Sequence, residues 1–598
     1  MSVLETPRIL FRGQIVWDPI VTNNTARFYN ENTSEPVYPS PTDKVSAFRT
    51  AAIASVDPKK GGLWNPQGTH RSSFFETAIS YADLGKGPVQ DDKFVGSPVS
   101  FLGMLVDLEP YGTNSSQLFF DAMTFGIDGG YRIAAKRSTR MIARYVNFGR
   151  NPVGYRAGIA SVVWQTCFAK GDLRVDAFDS KALQALKKKL DDDDVLGLTV
   201  QLNAYRTIYY NSLEVPAKLP ELSAALIAKL NAGGFQPNPA RSMMVGVVGL
   251  WRKGEPVHEP CGRAMIGATG NPVATAHARL TGDSVTLDLS NSISETGLDL
   301  VKQNLGDLTV VAIDPKSGDP ITLGTFGYSQ YDTDAYLRTS GIVTVPLKAK
   351  APDSANLQLR DAKNNILLAE SPLRAIPLTP NLYVNQGDTR TVEFQVYDRG
   401  VPAGAGVEVT VCVMSGDGNT IESSSRLVTG ADGVVRFPLT GVQGGIALYV
   451  PLPGADPVRP VQGIDPQVNT FMYVRTLPAD EDTAILPATW DNVYARVLAN
   501  WHAMAPCMDN WLDLGNAAQV YSFGPLIQKL TDEAAFEQYR FMPVTRDMTA
   551  GERALLYNFL NGPPPQPAAA EANLAAAAPD TAAAPASFAE RNRAMRSG

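Results

Sequence analysis

Two apolar runs constrain this chain more than any other feature: Val195-Leu196-Gly197-Leu198-Thr199-Val200-Gln201, behind four aspartates, and Met243-Met244-Val245-Gly246-Val247-Val248-Gly249-Leu250-Trp251, ahead of Arg252-Lys253. Neither has a helical period. A strand with one wet face alternates apolar with polar residues, so β-branched runs broken by glycine and bounded by charge read as strands covered on both faces. Further strands are expected at 9–17, 99–106, 158–168, 285–289 and 342–347. One helix interrupts them: Ser180 is placed to cap 181–190, with Ala182, Leu183, Leu186 and Leu190 on one face and three lysines in the last turn.

At 598 residues the chain is too long for a single core, and 50 Gly and 43 Pro favour many short strands joined by turns. The expected class is mainly β and multi-domain. Residues 1–375 read as a β-rich region able to divide into two subdomains. In 376–478 the apolar period tightens to two (Val392 to Tyr397, Val407 to Val413), and Asp417-Gly418 and Asp432-Gly433 offer turns, which predicts an immunoglobulin-like β-sandwich. In 479–562 helices are expected, since Thr489 precedes an apolar stripe from Trp490 to Trp501 and Thr549-Ala550-Gly551-Glu552 forms a capping box. The remainder, 563–598, is an Ala- and Pro-rich linker ending in Phe588, Arg591, Arg593, Met595 and Arg596, the composition of a docking peptide for a partner.

The net charge of −7, from 53 basic and 60 acidic residues, leaves no surplus to neutralise a phosphate backbone, so nucleic acid is not an expected partner. No run is long and apolar enough for a membrane span, and the start lacks the pattern of a signal peptide, so a cytoplasmic protein is expected. Cys167, Cys261, Cys412 and Cys507 lie far apart and suit reduced, buried thiols.

Only four histidines are present. His258 and Cys261 bracket a turn at Pro260 and supply half of a tetrahedral metal site, or an ordinary surface turn. His502 sits among Met504, Cys507 and Met508, a grouping able to ligate haem iron, or to pack as core. Asp191 to Asp194 could attract a hard cation but lack the spacing and glycine of a calcium loop, so a solvated turn is expected. There is no phosphate-binding loop and no Gly-x-Ser-x-Gly elbow.

Taken with Pro7-Arg8-Ile9-Leu10-Phe11-Arg12-Gly13, Leu105-Val106-Asp107-Leu108-Glu109-Pro110, Gly341 to Leu347 and Tyr539 to Arg546, the two strand motifs make the chain resemble the N-terminal half of the iminophenyl-pyruvate dimer synthases of the violacein and indolocarbazole (chromopyrrolic acid) pathways. The resemblance implies oxidative coupling of two aromatic α-imino acids in specialised metabolism, with iron or haem as the associated cofactor. In larger members a ferritin-like half follows this region, whereas here Gly562 leads into linker. The first expectation is therefore a non-catalytic, β-rich subunit without a cofactor of its own, supporting a separate ferritin-like or other oxidative subunit. A complete iron- or haem-dependent oxidoreductase using His502 is the second. A ligand-binding or adhesive module built on the sandwich is the third.

Overall fold

The first long strand, Arg8–Trp17, pairs on both edges, with Ala240–Arg252 on one side and Arg71–Asp83 on the other. That double pairing closes a sheet on itself. In the computed structural model, which describes residues 3–17, 28–54, 70–108, 115–147, 160–208, 240–267, 271–296, 301–455, 463–505, 508–509 and 511–565, the ring continues through Val99–Val106, Gln117–Gly126, Arg132–Asn147, Ala160–Ala169 and Val195–Ile208. Each strand pairs antiparallel with its sequence neighbour, so the result is an eight-stranded up-and-down barrel. Full closure removes the exposed edges that an open sheet would leave.

The barrel interior is packed with side chains. Ile9, Phe11, Ile15 and Trp17 alternate inward from the first strand and meet Phe101, Phe120, Phe125, Trp164 and Phe168. Helix Lys181–Leu190 adds Ala182, Leu183 and Leu186 to the same core. Its N-terminus is capped as the sequence predicts, Ser180 Oγ accepting from Leu183 N–H at 3.1 Å.

Both faces of Ala240–Arg252 are covered, the condition its sequence demanded. Met244, Val248 and Leu250 point into the barrel, while Val247 packs outward with Leu10 and Ile342, and Val245 with Tyr205 and Tyr336. Ile342 and Tyr336 belong to the next unit, an eight-stranded sheet running from Arg263–Gly267 to Ile366–Ser371 around its own core of Met265, Val285, Leu287, Val310, Leu357 and their neighbours. That sheet curls toward closure, for Lys348 N–H donates to the Leu323 carbonyl at 2.7 Å.

Residues 373–477 form a sandwich of a four-stranded and a five-stranded sheet around Val392, Phe394, Val411, Val435 and Val474. Asn381–Asn385 runs parallel to Met472–Leu477, and Gly418 and Gly433 take the positive φ (72° each) that their Asp-Gly turns require. The helices are mostly C-terminal: Trp490 to Met504 is continuous, with a π-helical stretch at Tyr494–Leu498, and Ala517–Ser522, Gly524–Thr531 and Ala550–Leu560 pack around Val497, Trp501, Leu555 and Phe559. Lys44–Ala54, which the sequence reading left out, is one more helix, and its Phe48 and Ala52 pack on Ala503. No helix among the described residues is long and apolar enough to cross a membrane.

Gly246 lets the Phe11 ring cross close to the backbone of the strand it closes against. A Cβ there would lie 2.1 Å from the Phe11 ring, which is itself wedged edge-on against Phe125 at 5.5 Å between centroids. Gly246→Val should therefore lower stability by about 3 kcal/mol or more, as overpacking a closed core does. Gly171→Ala, where an added Cβ meets nothing within 4 Å, should leave the chemical-denaturation midpoint unchanged.

Candidate functional site

Apolar side chains from distant parts of the chain converge in the helical unit on a cavity of about 110 Å3. Trp501 and Met504 come from the long helix, Met508 and Trp511 from the turn after it, and Met542 and Met548 from the segment leading into Ala550–Leu560. Methionine is flexible and polarisable, so a wall built from it with two indoles accommodates an aromatic ring and makes favourable sulfur–ring contacts. The volume is of the order of the roughly 150 Å3 apolar cavity that takes up benzene in an engineered protein.

Three polar side chains belong to this lining, His70, Thr531 and Thr545, and the Thr545 hydroxyl is committed to Asp547 Oδ1 at 2.5 Å. The His70 ring is tied through Nδ1 to the Leu105 carbonyl at 2.9 Å, which makes Nδ1 the protonated nitrogen. Burial pushes its pKa down to about 4, with Arg546 contributing in the same direction, so the ring is neutral near pH 7. Thr531 Oγ1 is spent on the Ile527 carbonyl at 2.9 Å. The volume and walls suit a neutral ring, and among the described residues the lining presents no acid–base pair.

His502 lies beside the cavity and does not line it. Its Nδ1 meets Tyr494 Oη at 3.1 Å, its Nε2 faces Asp509 at 3.8 Å, and Arg49 bridges the His502 carbonyl and Asp509. Burial, then Arg49, holds its pKa below the ordinary histidine value. Among the described residues no three His, Cys, Asp or Glu side chains converge on a possible metal position. Both imidazole nitrogens of His502 face protein groups, and the cavity is far too small for a porphyrin, so the residues present do not fit haem.

His258 and Cys261 occupy the linker between the two barrels. The surface turn considered for them is a packed junction instead, where Glu259, Pro260, Cys261 and Gly262 are buried. Cys261 packs on Ile376 and Tyr397, and burial pushes its thiol up to about 12, while the same cause takes His258 down to about 3. Between them Glu259, 1% exposed, forms an ion pair with Arg144, 2.8 Å from its Nε, and accepts from Arg374 Nη2 at 3.2 Å, and Arg374 also donates to Tyr145 Oη, which contacts His277 Nε2 at 3.2 Å. This knot joins first barrel, second barrel and sandwich. Of the four aspartates at 191–194, Asp192 pairs with Lys189 at 2.9 Å and Asp194 with Arg252 at 2.5 Å. Phe588, Arg591, Arg593, Met595, Arg596 and Cys507 lie outside the described residues.

No family model matches the chain. Among curated proteins it matches the 2-imino-3-(indol-3-yl)propanoate dimerase of Chromobacterium violaceum, 26% identical over 411 residues. This chain is similar to part of that dimerase. The match covers 64% of the chain and 35% of the dimerase, so the chain spans about a third of that relative's length. The likeness agrees with the resemblance that the strand motifs carried. Among solved structures, a Salmonella alpha-2-macroglobulin mutant aligns with 70% of this chain and 25% of its own, at 13% identity and a TM-score of 0.14, too low to bear on the fold.

One edge of the helical unit carries a titration. Helix Ala550–Leu560 starts with a capping box in which Glu552 Oε2 accepts from Thr549 N–H at 2.9 Å, and Asp480 accepts from Gly551 and Glu552 N–H at 2.9 Å each. Burial, reinforced by Asp480 and Asp547, pushes Glu552 up to about 8 from an ordinary 4.5. The folded state thus holds this proton more tightly than the unfolded chain, so the contribution is complete below about 4.5 and lost as pH rises through about 8. The thermal midpoint should fall across that window, and Glu552→Gln, which keeps the cap without the charge, should flatten the fall in a calorimetric pH series.

Proposed function

We propose that this chain is a β-rich, non-catalytic component of an oxidative system in specialised metabolism, holding an aromatic group for chemistry performed by a separate ferritin-like or other oxidative subunit. The similarity to an indolyl imino-acid dimerase supplies the metabolic setting. The single observation that carries the role is the character of the cavity: methionine and tryptophan walls suited to an aromatic ring, and polar groups that among the described residues are a neutral, tethered His70 and the occupied hydroxyls of Thr531 and Thr545. Such a site binds and shields. Among the described residues it lacks the paired titratable groups that general acid–base catalysis needs.

In the purified full chain, indole should quench the fluorescence of Trp501 and Trp511, with saturable binding that Leu530→Trp, a substitution at the cavity wall, abolishes. The same preparation should carry substoichiometric iron, show no haem absorbance, and form no coupled product from an indolic imino acid until an oxidative subunit is added. Stoichiometric iron, a porphyrin band or turnover by the isolated chain would instead identify a complete oxidoreductase.

A further inference from the structure

We propose that the cleft between the two barrels binds a small oxyanion, that is, a molecule presenting a carboxylate or phosphate group. The cleft has a volume of about 630 Å3, within the roughly 300–1,000 Å3 typical of small-molecule sites. Its first wall carries Arg8, Asp83 and Lys86, and its second carries Arg279 and Arg338, while Glu5 of the N-terminal segment lies between.

The charges do not balance. Four cations meet two carboxylates, and both carboxylates are already engaged. Asp83 accepts from Arg8 Nη2 at 2.6 Å and from Gly85 N–H at 2.9 Å, and Glu5 accepts from Arg252 Nε at 2.9 Å and pairs with Arg279 through its other oxygen. Lys86 and Arg338 are exposed and pair with no carboxylate among the described residues. The whole chain carries a net −7, so this positive recess runs against the general field of the molecule.

The second observation is independent of that count. Arg8 is 6% exposed, and its Nε and Nη1 have no hydrogen-bond partner. A guanidinium carries five N–H donors, and buried donors left unsatisfied in a folded protein point to a bound water or ion. Nη2 is committed to Asp83, and Nε and Nη1 sit on different edges of the guanidinium, so the unfilled donors offer charge-assisted hydrogen bonds to oxygen at the wall of a cation-rich recess. Hydroxyls of Thr6, Thr286 and Thr344 add neutral hydrogen-bonding groups beside the apolar side chains of Leu4, Leu10 and Ile342.

Isothermal titration of the full chain with succinate, inorganic phosphate and the uncharged succinamide tests this assignment. At least one anion should bind, more weakly as salt rises, and succinamide should not. A preference for succinate names the carboxylate as the recognised group, and a preference for phosphate names the phosphate. The double variant Lys86→Ala, Arg338→Ala, which removes exposed charges and leaves the core intact, should weaken binding roughly tenfold at an unchanged thermal midpoint. Arg8→Lys, which keeps a cation beside Asp83 and loses the unfilled guanidinium donors, should weaken it as well. Anions that bind no better than succinamide, or a double variant that binds like the parent chain, would overturn the proposal.

Discussion

Closure of the first barrel by Arg8–Trp17 is the constraint on which the remaining architecture depends. Until that strand fills the gap between Arg71–Asp83 and Ala240–Arg252, two edges with unpaired backbone groups stay open and the aromatic interior stays wet. The pairing joins residues more than two hundred positions apart, so its loop-closure cost is met only when the interior packs. Once closed, the barrel offers outer surfaces to other units. The second barrel covers Val245 and Val247, the outer face of the sandwich packs on Leu108, and Phe536 of the helical unit sits on Phe119.

Those seams share a device: each is pinned by a buried arginine. Arg144 and Arg374 grip Glu259 where barrels and sandwich meet, and Arg475 of the sandwich pairs with Glu31 of the N-terminal hairpin and contacts Tyr29, which bonds Asp547 of the helical unit. Arg546 makes no ion pair among the described residues: its guanidinium lies 3.4 Å from the centroid of Phe119 and donates to the Phe536, Gln538 and Val544 carbonyls, and burial pulls its pKa down to about 9. Buried ion pairs add little net stability over well-packed apolar residues, but removing one partner strands a charge at a cost of about 3–5 kcal/mol. Arginines at seams therefore specify which surfaces meet more than they strengthen the meeting.

The same device explains what could and could not be read from the sequence. Ala240–Arg252 announced itself because both of its faces meet apolar neighbours, whereas Val195–Ile208 turns Leu198, Val200 and Leu202 into the barrel and commits Gln201 and Asn203 on its other face to buried hydrogen bonds with Asp288 and Ser290. Arg132–Asn147 did not, since Arg140 and Arg144 give it the pattern of a wet surface although both are buried under the sandwich. Arg71–Asp83 was hidden in the same way by its serines and charged residues. Caps at Ser180, Thr489 and Thr549 were legible because capping is decided within four residues. The cavity was not, for it brings His70 of the first barrel to residues from 498 to 556, a convergence that only the fold creates. Its methionines were noticed, but as neighbours of His502, which turns away toward Tyr494.

The two spaces on this scaffold differ in a way that bears on function. The helical cavity is small and apolar, so what it selects is shape and the absence of charge, since an ion there would lose its hydration without finding a counter-ion. The cleft between the barrels is larger and cationic, its arginines and lysine standing among threonines and apolar side chains, so it favours a charged group over a neutral one. They lie on different units, one built from the C-terminal helices and His70, the other from the N-terminal segment and both barrels. A scaffold so divided offers two separate recognition chemistries, one that excludes charge and one that attracts it.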